Sequence, residues 1–313
     1  MKISVCVTTL NEEGTIGKLL ESLLNQSQKP DEIVVVDGGS KDRTAGVVRH
    51  YQKKDARIRL FVDKLSAAEG RNIAVDMANN DIIAMTDAGC IAERNWLERL
   101  TEPFFQEEVD ITAGFYEMSV GDNRTEALSY FLGVTPSKFN INFLPSGRSI
   151  AFRKEAWEKI GGFKNTKEGT SEDTLFNYKA VELGMKIARV KNAVVEWGIP
   201  ESDKEAFNKF YRYAKGDAET KIFKNPIQDE TSHNIKAVFI LLRYLVGFFL
   251  LIAGIYNPTY LLLLLSVLII YFFLAFRKVY LEFGRLKTGL WGIYWQLFSD
   301  IAVILGFLRG IWL

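Results

Sequence analysis

The first part of the chain alternates short, wholly apolar runs with longer amphipathic ones. Runs of strand length fall at 3–9 (ISVCVTT), 32–37 (EIVVVD), 58–62 (IRLFV) and 81–87 (DIIAMTD). They are rich in Val and Ile and continuous, as strands buried on both faces are. Between them, GTIGKLLESLLNQ, DRTAGVVRHYQKK and AAEGRNIAVDMANN carry helical patterns. Strand–helix–strand repetition predicts parallel strands with right-handed crossovers, hence an α/β sheet. Ligands of such sheets sit beyond the carboxyl ends of the strands. That rule collects Thr8, Asn11 and Glu12 after the first strand, Asp37, Gly38 and Gly39 after the second, and Asp87 after the fourth.

The pattern changes near Ile235. Three dense apolar stretches, 235–256, 259–276 and 290–312, are each about long enough to cross a bilayer. Asn257-Pro258 separates the first two as a turn. The expected division is a soluble domain over 1–232, with membrane-interface helices in 201–232, and a membrane domain over 233–313. The connector 277–287 holds Arg277, Lys278, Arg285 and Lys287, whereas the Asn-Pro turn holds no basic residue. Counting positive charges puts the connector and the soluble domain on the cytosolic face of a multi-pass membrane protein. Arg243 and Asp300 fall at matching depths, about 12 and 15 Å along their helices at 1.5 Å per residue. They pair with each other, or Arg243 snorkels to a lipid phosphate.

Composition narrows the picture. The 313 residues are 48% hydrophobic with a net charge of +1. Seven basic and two acidic residues follow residue 232, so the tail carries +5 and the rest about −4. There is no clustered basic face, and nucleic acid is not an expected partner. Cys6 and Cys90 lie in or beside apolar strands, as buried free thiols of a reducing compartment do. His50 and His233 have no partners at ligand spacing, which disfavours zinc. The apolar run at the N-terminus is too short for a signal peptide and serves as the first strand. DGGSKDRT (37–44) is a tight turn into a helix capped by Ser40 or Asp42. It is neither G-x-G-x-x-G nor a Walker loop, so a dehydrogenase or an ATPase is disfavoured.

VCVTTLNEEGTIGKLLESLLNQS, EIVVVDGGSKDRT, GRNIAV and MTDAGC follow one another in this order. Together they resemble the family 2 glycosyltransferases of the GT-A fold, over roughly residues 1–220. The resemblance implies a mixed sheet flanked by helices that binds a UDP- or GDP-linked sugar. It places Thr8, Leu10 and Glu12 near the base, with Asn11 in the same donor-binding loop, and Asp37 on the base or ribose. Arg71 and Asn72 would lie near the base or diphosphate, and Asp87 would open the metal motif. The family usually has D-x-D here, whereas this chain has Asp87-Ala88-Gly89. Mg²⁺ needs only one or two carboxylates plus phosphate oxygens, so Asp87 alone is expected to hold Mg²⁺ or Mn²⁺ with the donor. A strand-end cap or a ribose contact is its other reading.

The later segments bear on the acceptor. PSGRSIAFRKEAWEKIGGF (145–163) resembles the family's segment beneath the acceptor and donor sugar. Ser146, Gly147 and Arg148 are its acceptor-binding candidates; a plain turn is the alternative. In TSEDTLFNYKAVELG (170–184) Ser171 reads as a helix N-cap, with Leu175, Phe176, Ala180, Val181 and Leu183 giving the helix an apolar side. The segment resembles the TED motif of membrane-bound family 2 enzymes. This makes Asp173 the general base, with Glu172 beside it. A base implies a hydroxyl rather than a phosphate acceptor. NKFYRYAKGD (208–217) resembles the Q-x-x-R-W segment, with Lys for Gln and Tyr for Trp. Arg212 would pair with the diphosphate and Tyr213 stack on the acceptor sugar; a basic, aromatic membrane-surface helix is also compatible. The expectation is a metal-dependent, membrane-anchored inverting glycosyltransferase acting on a lipid-linked, glycan or other membrane-associated hydroxyl. A polyprenyl-phosphate glycosyltransferase is the alternative within enzymes, and a tethered sugar-binding scaffold with a dead site the alternative outside them.

Overall fold

The computed structural model describes residues 1–167, 169–227 and 230–312. The chain forms two compact units: Met1–Ser119 with Lys138–Gly198, and Val120–Ser137 with Ile199–Leu313.

The first unit is built on one sheet of β1 (Ile3–Thr9), β2 (Glu32–Asp37), β3 (Ile58–Val62), β4 (Ile82–Asp87), β5 (Cys90–Ala92), β6 (Ile111–Met118), β7 (Ile150–Arg153) and β8 (Ile187–Trp197). The strand order is β3-β2-β1-β4-β7-β6-β8-β5. The four expected strands are present and mutually parallel. Beyond β4 the sheet is mixed: β7 runs antiparallel to β4 and β6, β8 parallel to β6, and β5 antiparallel to β8. The helices are α1 (Ile16–Leu24), α2 (Thr44–Lys54), α3 (Ala67–Met77), α4 (Trp96–Thr101) and α5 (Pro103–Gln106), then α7 (Lys154–Ile160) and α8 (Glu172–Glu182). Every residue of β2 is buried, which is why its apolar run is unbroken. One core cluster joins Val34, Val36, Ile83, Met85 and Phe152 of the sheet to Phe163 and Phe176.

Two local expectations change. Arg43, not Ser40 or Asp42, precedes α2, although the Asp42 carboxylate accepts from Thr44 N at 3.0 Å. Ser40 Oγ instead accepts from Asn11 N at 2.8 Å. Ser171 precedes α8 with φ +65° and no side-chain cap. The buried face of α8 runs through Glu172, Phe176 and Ala180, while Leu183 is exposed. An acid therefore stands on the inward stripe.

The second unit contains α6 (Asn123–Leu132), α9 (Asp203–Glu219), α10 (His233–Tyr256), α11 (Thr259–Phe283) and α12 (Leu286–Ile311). The last three are long and apolar enough to cross a membrane. At 1.5 Å per residue each is at least about 36 Å long. α11 continues through Arg277 and Lys278, so most of the expected connector is helix. The stop is Gly284, at φ +68°, a left-handed cap that favours glycine. α12 packs on α9 through Gly306 and Gly310, where a Cβ would run into the backbone carbonyls of Tyr211 and Lys215. α6 joins α12 through Glu126, which accepts from Thr288 Oγ1 at 2.6 Å and pairs with Arg285 at 2.9 Å. Arg243 and Asp300 form an ion pair. The same Asp300 oxygen accepts from Tyr271 OH at 2.7 Å and Tyr244 OH at 3.2 Å, and its other oxygen from Gln296 Nε2 at 2.7 Å. The carboxylate is buried at 1% exposure, so these four donors replace the water it lacks.

Candidate functional site

The carboxyl ends of β1, β2 and β4 lie side by side, with Thr8 opposite Asp87 and Thr9 opposite Asp37. The two loops that follow β1 and β2 are joined by hydrogen bonds. Asn11, at φ +56°, donates its N–H to Ser40 Oγ at 2.8 Å and accepts from Lys41 N at 2.9 Å. Glu12 N–H donates to Thr44 Oγ1 at 2.8 Å. Asp37 is fully buried; its Oδ1 accepts from Gly39 N at 3.1 Å and Ser40 N at 2.8 Å. Its Oδ2 is buried without a partner among the described residues. An orphaned carboxylate oxygen at a strand end is a ready acceptor for a ligand hydroxyl or N–H. Leu10 is 53% exposed beside it.

Arg71, from α3, organises the other side. It is 5% exposed. Its Nη2 bonds Asp87 Oδ1 at 2.9 Å, and its Nη1 pairs with Glu172 Oε1. A Cβ on Gly147 would lie 2.7 Å from Nη2 and 3.0 Å from Cζ, so the guanidinium occupies the space a side chain at 147 would need. Gly147 N–H in turn donates to Asp173 Oδ2 at 3.4 Å. One guanidinium thus touches the end of β4, the loop before β7 and the start of α8. Burial alone would lower the pKa of Arg71, but Asp87, Glu172 and Asp173 outweigh it and hold the group firmly charged. Burial pushes the Glu172 carboxyl above its ordinary range; Arg71 opposes this, while Asp173 and Asp87 add to it.

The expected acceptor loop is partly self-satisfied. Ser146 Oγ accepts from Arg148 N at 3.2 Å, and Asn177 Nδ2 donates to Pro145 O at 2.6 Å. The Arg148 guanidinium lies 3.8 Å from the Trp197 ring centroid and 5.1 Å from that of Tyr116. Asn72 is committed inward: its amide bonds the Phe163 N–H and C=O, both at 2.8 Å, and Trp157 Nε1 at 3.2 Å. Among the donor-side candidates, Arg71 and Asn72 are therefore held by protein partners, while Asp37 and Asp87 each keep an oxygen with no hydrogen bond among the described residues. Arg212 and Tyr213 lie on α9 in the second unit, where Arg212 is exposed. Sequence reasoning missed Trp197 and Asn177. Trp197 pairs with Cys90 across β5 and β8, and its ring lies 3.8 Å from where a Cβ on Gly89 would stand. The Cys90 thiol is pushed up to about 12, first by burial, so it stays protonated.

No group of three or more His, Cys, Asp or Glu among the described residues forms a ready metal cage. Asp87 nonetheless suits a cation completed by phosphate and water. Its side chain is 26% exposed and, among the described residues, only Oδ1 is taken, while Glu12 Oε1 approaches to 3.8 Å from the Cβ position of Gly89.

Residues 4–162 match the family described as Glycosyl transferase family 2. The uncharacterized glycosyltransferase EpsJ of Bacillus subtilis is 35% identical over 127 residues, 39% of this chain and 36% of EpsJ, so the chain spans about a third of that relative. S. aureus TarS in complex with UDP superposes with a TM-score of 0.53 at 23% identity, covering 68% of this chain and 64% of TarS. The mannosyltransferase PcManGT from Pyrobaculum calidifontis, in complex with GDP-Man and Mn²⁺, gives 0.59 at 20% identity, covering 94% and 86%. These structures share the GT-A-like fold. With half its length matching the family and the family's sheet beneath its acidic site, the chain belongs to glycosyl transferase family 2.

Proposed function

We propose that this chain is a membrane-anchored inverting glycosyltransferase. It moves a sugar from a UDP- or GDP-linked donor to a hydroxyl of a lipid-linked or membrane-associated acceptor. The observation that carries this reading is the grouping of Asp87 with Glu172 and Asp173 around one buried guanidinium, at the carboxyl end of the sheet. Asp37 Oδ2 accepts from the ribose or base. Asp87 would hold Mg²⁺ or Mn²⁺, which would supply charge compensation for the leaving nucleoside diphosphate. Asp173 accepts the proton of the acceptor hydroxyl. The acceptor oxygen bonds to the anomeric carbon as the bond from that carbon to the phosphate oxygen breaks on the opposite face, which inverts the centre. The bound donor and Mn²⁺ of PcManGT and the UDP of TarS support the donor class.

Residues 1–232 serve as the catalytic domain and 233–313 as the anchor. Large apolar side chains such as Phe239, Phe249, Leu262 and Ile269 stand exposed on α10 and α11, a surface that suits lipid rather than water. The basic residues at the α11–α12 junction support a cytosolic face for the catalytic domain, where nucleotide sugars are made. α9 suits the membrane surface, with Arg212 and Tyr213 among its basic and aromatic residues. The test is a panel of nucleotide sugars scored by thermal shift with and without Mn²⁺, then by transfer to a membrane-lipid extract. A metal-dependent rise in melting temperature with one donor is expected. No shift with any donor would refute the reading.

A further inference from the structure

Arg71 was expected to face the donor. Its side chain instead spans from a donor-side acid to an acceptor-side acid, and neither end is closed. Arg71 Nε and Glu172 Oε2 are both buried without partners among the described residues. Asp87 and Glu172 come from segments 85 residues apart, and this guanidinium bonds both. Gly147 leaves the space for it. Two carboxylates therefore divide one cation between them. Whatever one gives up, the other receives.

We propose that Arg71 is a positioning residue that couples the two sides of the site, so that Glu172 sets how strongly Asp87 engages a nucleoside diphosphate and its cation. The proposal rests on the donor reading above. Where Glu172 carries its charge, the guanidinium is shared and Asp87 keeps much of its own for a cation. Where Glu172 is neutralised, Arg71 rests wholly on Asp87 and competes with the cation for that carboxylate. A lysine keeps the charge but lacks the fork needed to hold two acids at once. A side chain at 147 pushes the guanidinium off its seat by a different route.

The experiment is calorimetric titration of the full chain in detergent with Mn²⁺ plus UDP and, separately, Mn²⁺ plus GDP. The variants are Glu172→Gln, Arg71→Lys, Gly147→Ala, and Glu172→Gln combined with each of the other two. Glu172→Gln is expected to weaken the binding nucleotide by at least about threefold in the wild-type background, the size of coupling seen between linked groups. The same substitution should change affinity less than about 1.5-fold in the Arg71→Lys and Gly147→Ala backgrounds. If Arg71→Lys fails to fold, the Gly147→Ala pair decides the matter. No effect of Glu172→Gln, a tightening, or an equal effect in every background would overturn the proposal while leaving the donor reading intact. Failure of the wild type to bind either nucleotide would overturn the donor reading and the proposal with it.

Discussion

Replacing Asp300 with Ala should be the most damaging single change in the apolar helices. Asp300 is 1% exposed and accepts from Arg243, Tyr244, Tyr271 and Gln296. Removing one member of a buried ion pair costs about 3–5 kcal/mol, because the other charge loses its counterion. The two tyrosines and the glutamine lose an acceptor, at roughly 0.6 kcal/mol each by the average for helices in membranes. Asp300→Ala should thus cost about 5–7 kcal/mol. Arg243→Ala should cost less, about 2 kcal/mol, since the guanidinium is the more exposed partner and three donors remain on Asp300. Tyr271→Phe, which removes one hydroxyl, should cost about 1 kcal/mol. The double change Arg243→Ala with Asp300→Ala should fall short of the sum of the singles by about 1–3 kcal/mol. Unfolding of the full chain in mixed micelles, followed by far-UV circular dichroism, measures all four. Additivity within about 0.5 kcal/mol would refute the pair and leave Arg243 to the lipid.

Three further outcomes are expected. Because the folded-state pKa of Glu172 is raised above its ordinary 4.5, the stability it contributes is complete below that value and is lost as pH rises through the folded value. Wild-type melting temperature should therefore fall relative to that of Glu172→Gln as pH rises above 4.5, and parallel curves would contradict the raised carboxyl. Asp87→Ala should abolish the part of nucleotide binding that EDTA removes from the wild type; equal affinity with and without EDTA in both proteins would exclude a cation role. Gly306→Val should force α12 away from the Tyr211 carbonyl and cost on the order of 2 kcal/mol in the same unfolding assay, and a neutral effect would mean that the close approach of α9 and α12 is not needed.

The parallel half of the sheet was legible because β1, β2 and β4 are covered on both faces, so their apolar runs have no gaps. The other half was not. β5 has three residues, and β8 mixes Arg189, Lys191 and Asn192 into its run because much of it is only partly covered. Periodicity cannot separate such a strand from a loop. The long apolar helices were legible in position but not in length, since Arg277 and Lys278 interrupt hydropathy without interrupting the helix. In the site, Asp37 and Asp87 were read from their places at strand ends, and Glu172 and Asp173 from the resemblance of their segment to the TED motif. Their connection was hidden. An arginine at helical spacing carries no sign that it will be buried, and nothing local marks Gly147 as the space for a side chain 76 positions earlier. The left-handed Ser171 and the inward Glu172 follow from tertiary packing against Arg71 and the Phe152–Phe163–Phe176 core, which local propensity does not encode.

Asp173→Asn tests the central claim most directly. The amide keeps one oxygen to accept from Thr174 N at 2.8 Å and gives up only the long bond from Gly147 N at 3.4 Å, so the local fold should hold, but it cannot take a proton from a hydroxyl. Wild type and variant are compared for transfer from whichever nucleotide sugar the wild type uses, to a membrane-lipid extract, alongside the donor's Kd. Turnover should fall by about 10²–10⁴-fold, the range of general-base assistance, with the donor's Kd changed less than about twofold. Near-normal transfer would mean an acceptor that needs no base, such as a phosphate, or another acid in the role. Loss of donor binding would place Asp173 in the nucleotide site and contradict the division into donor and acceptor sides.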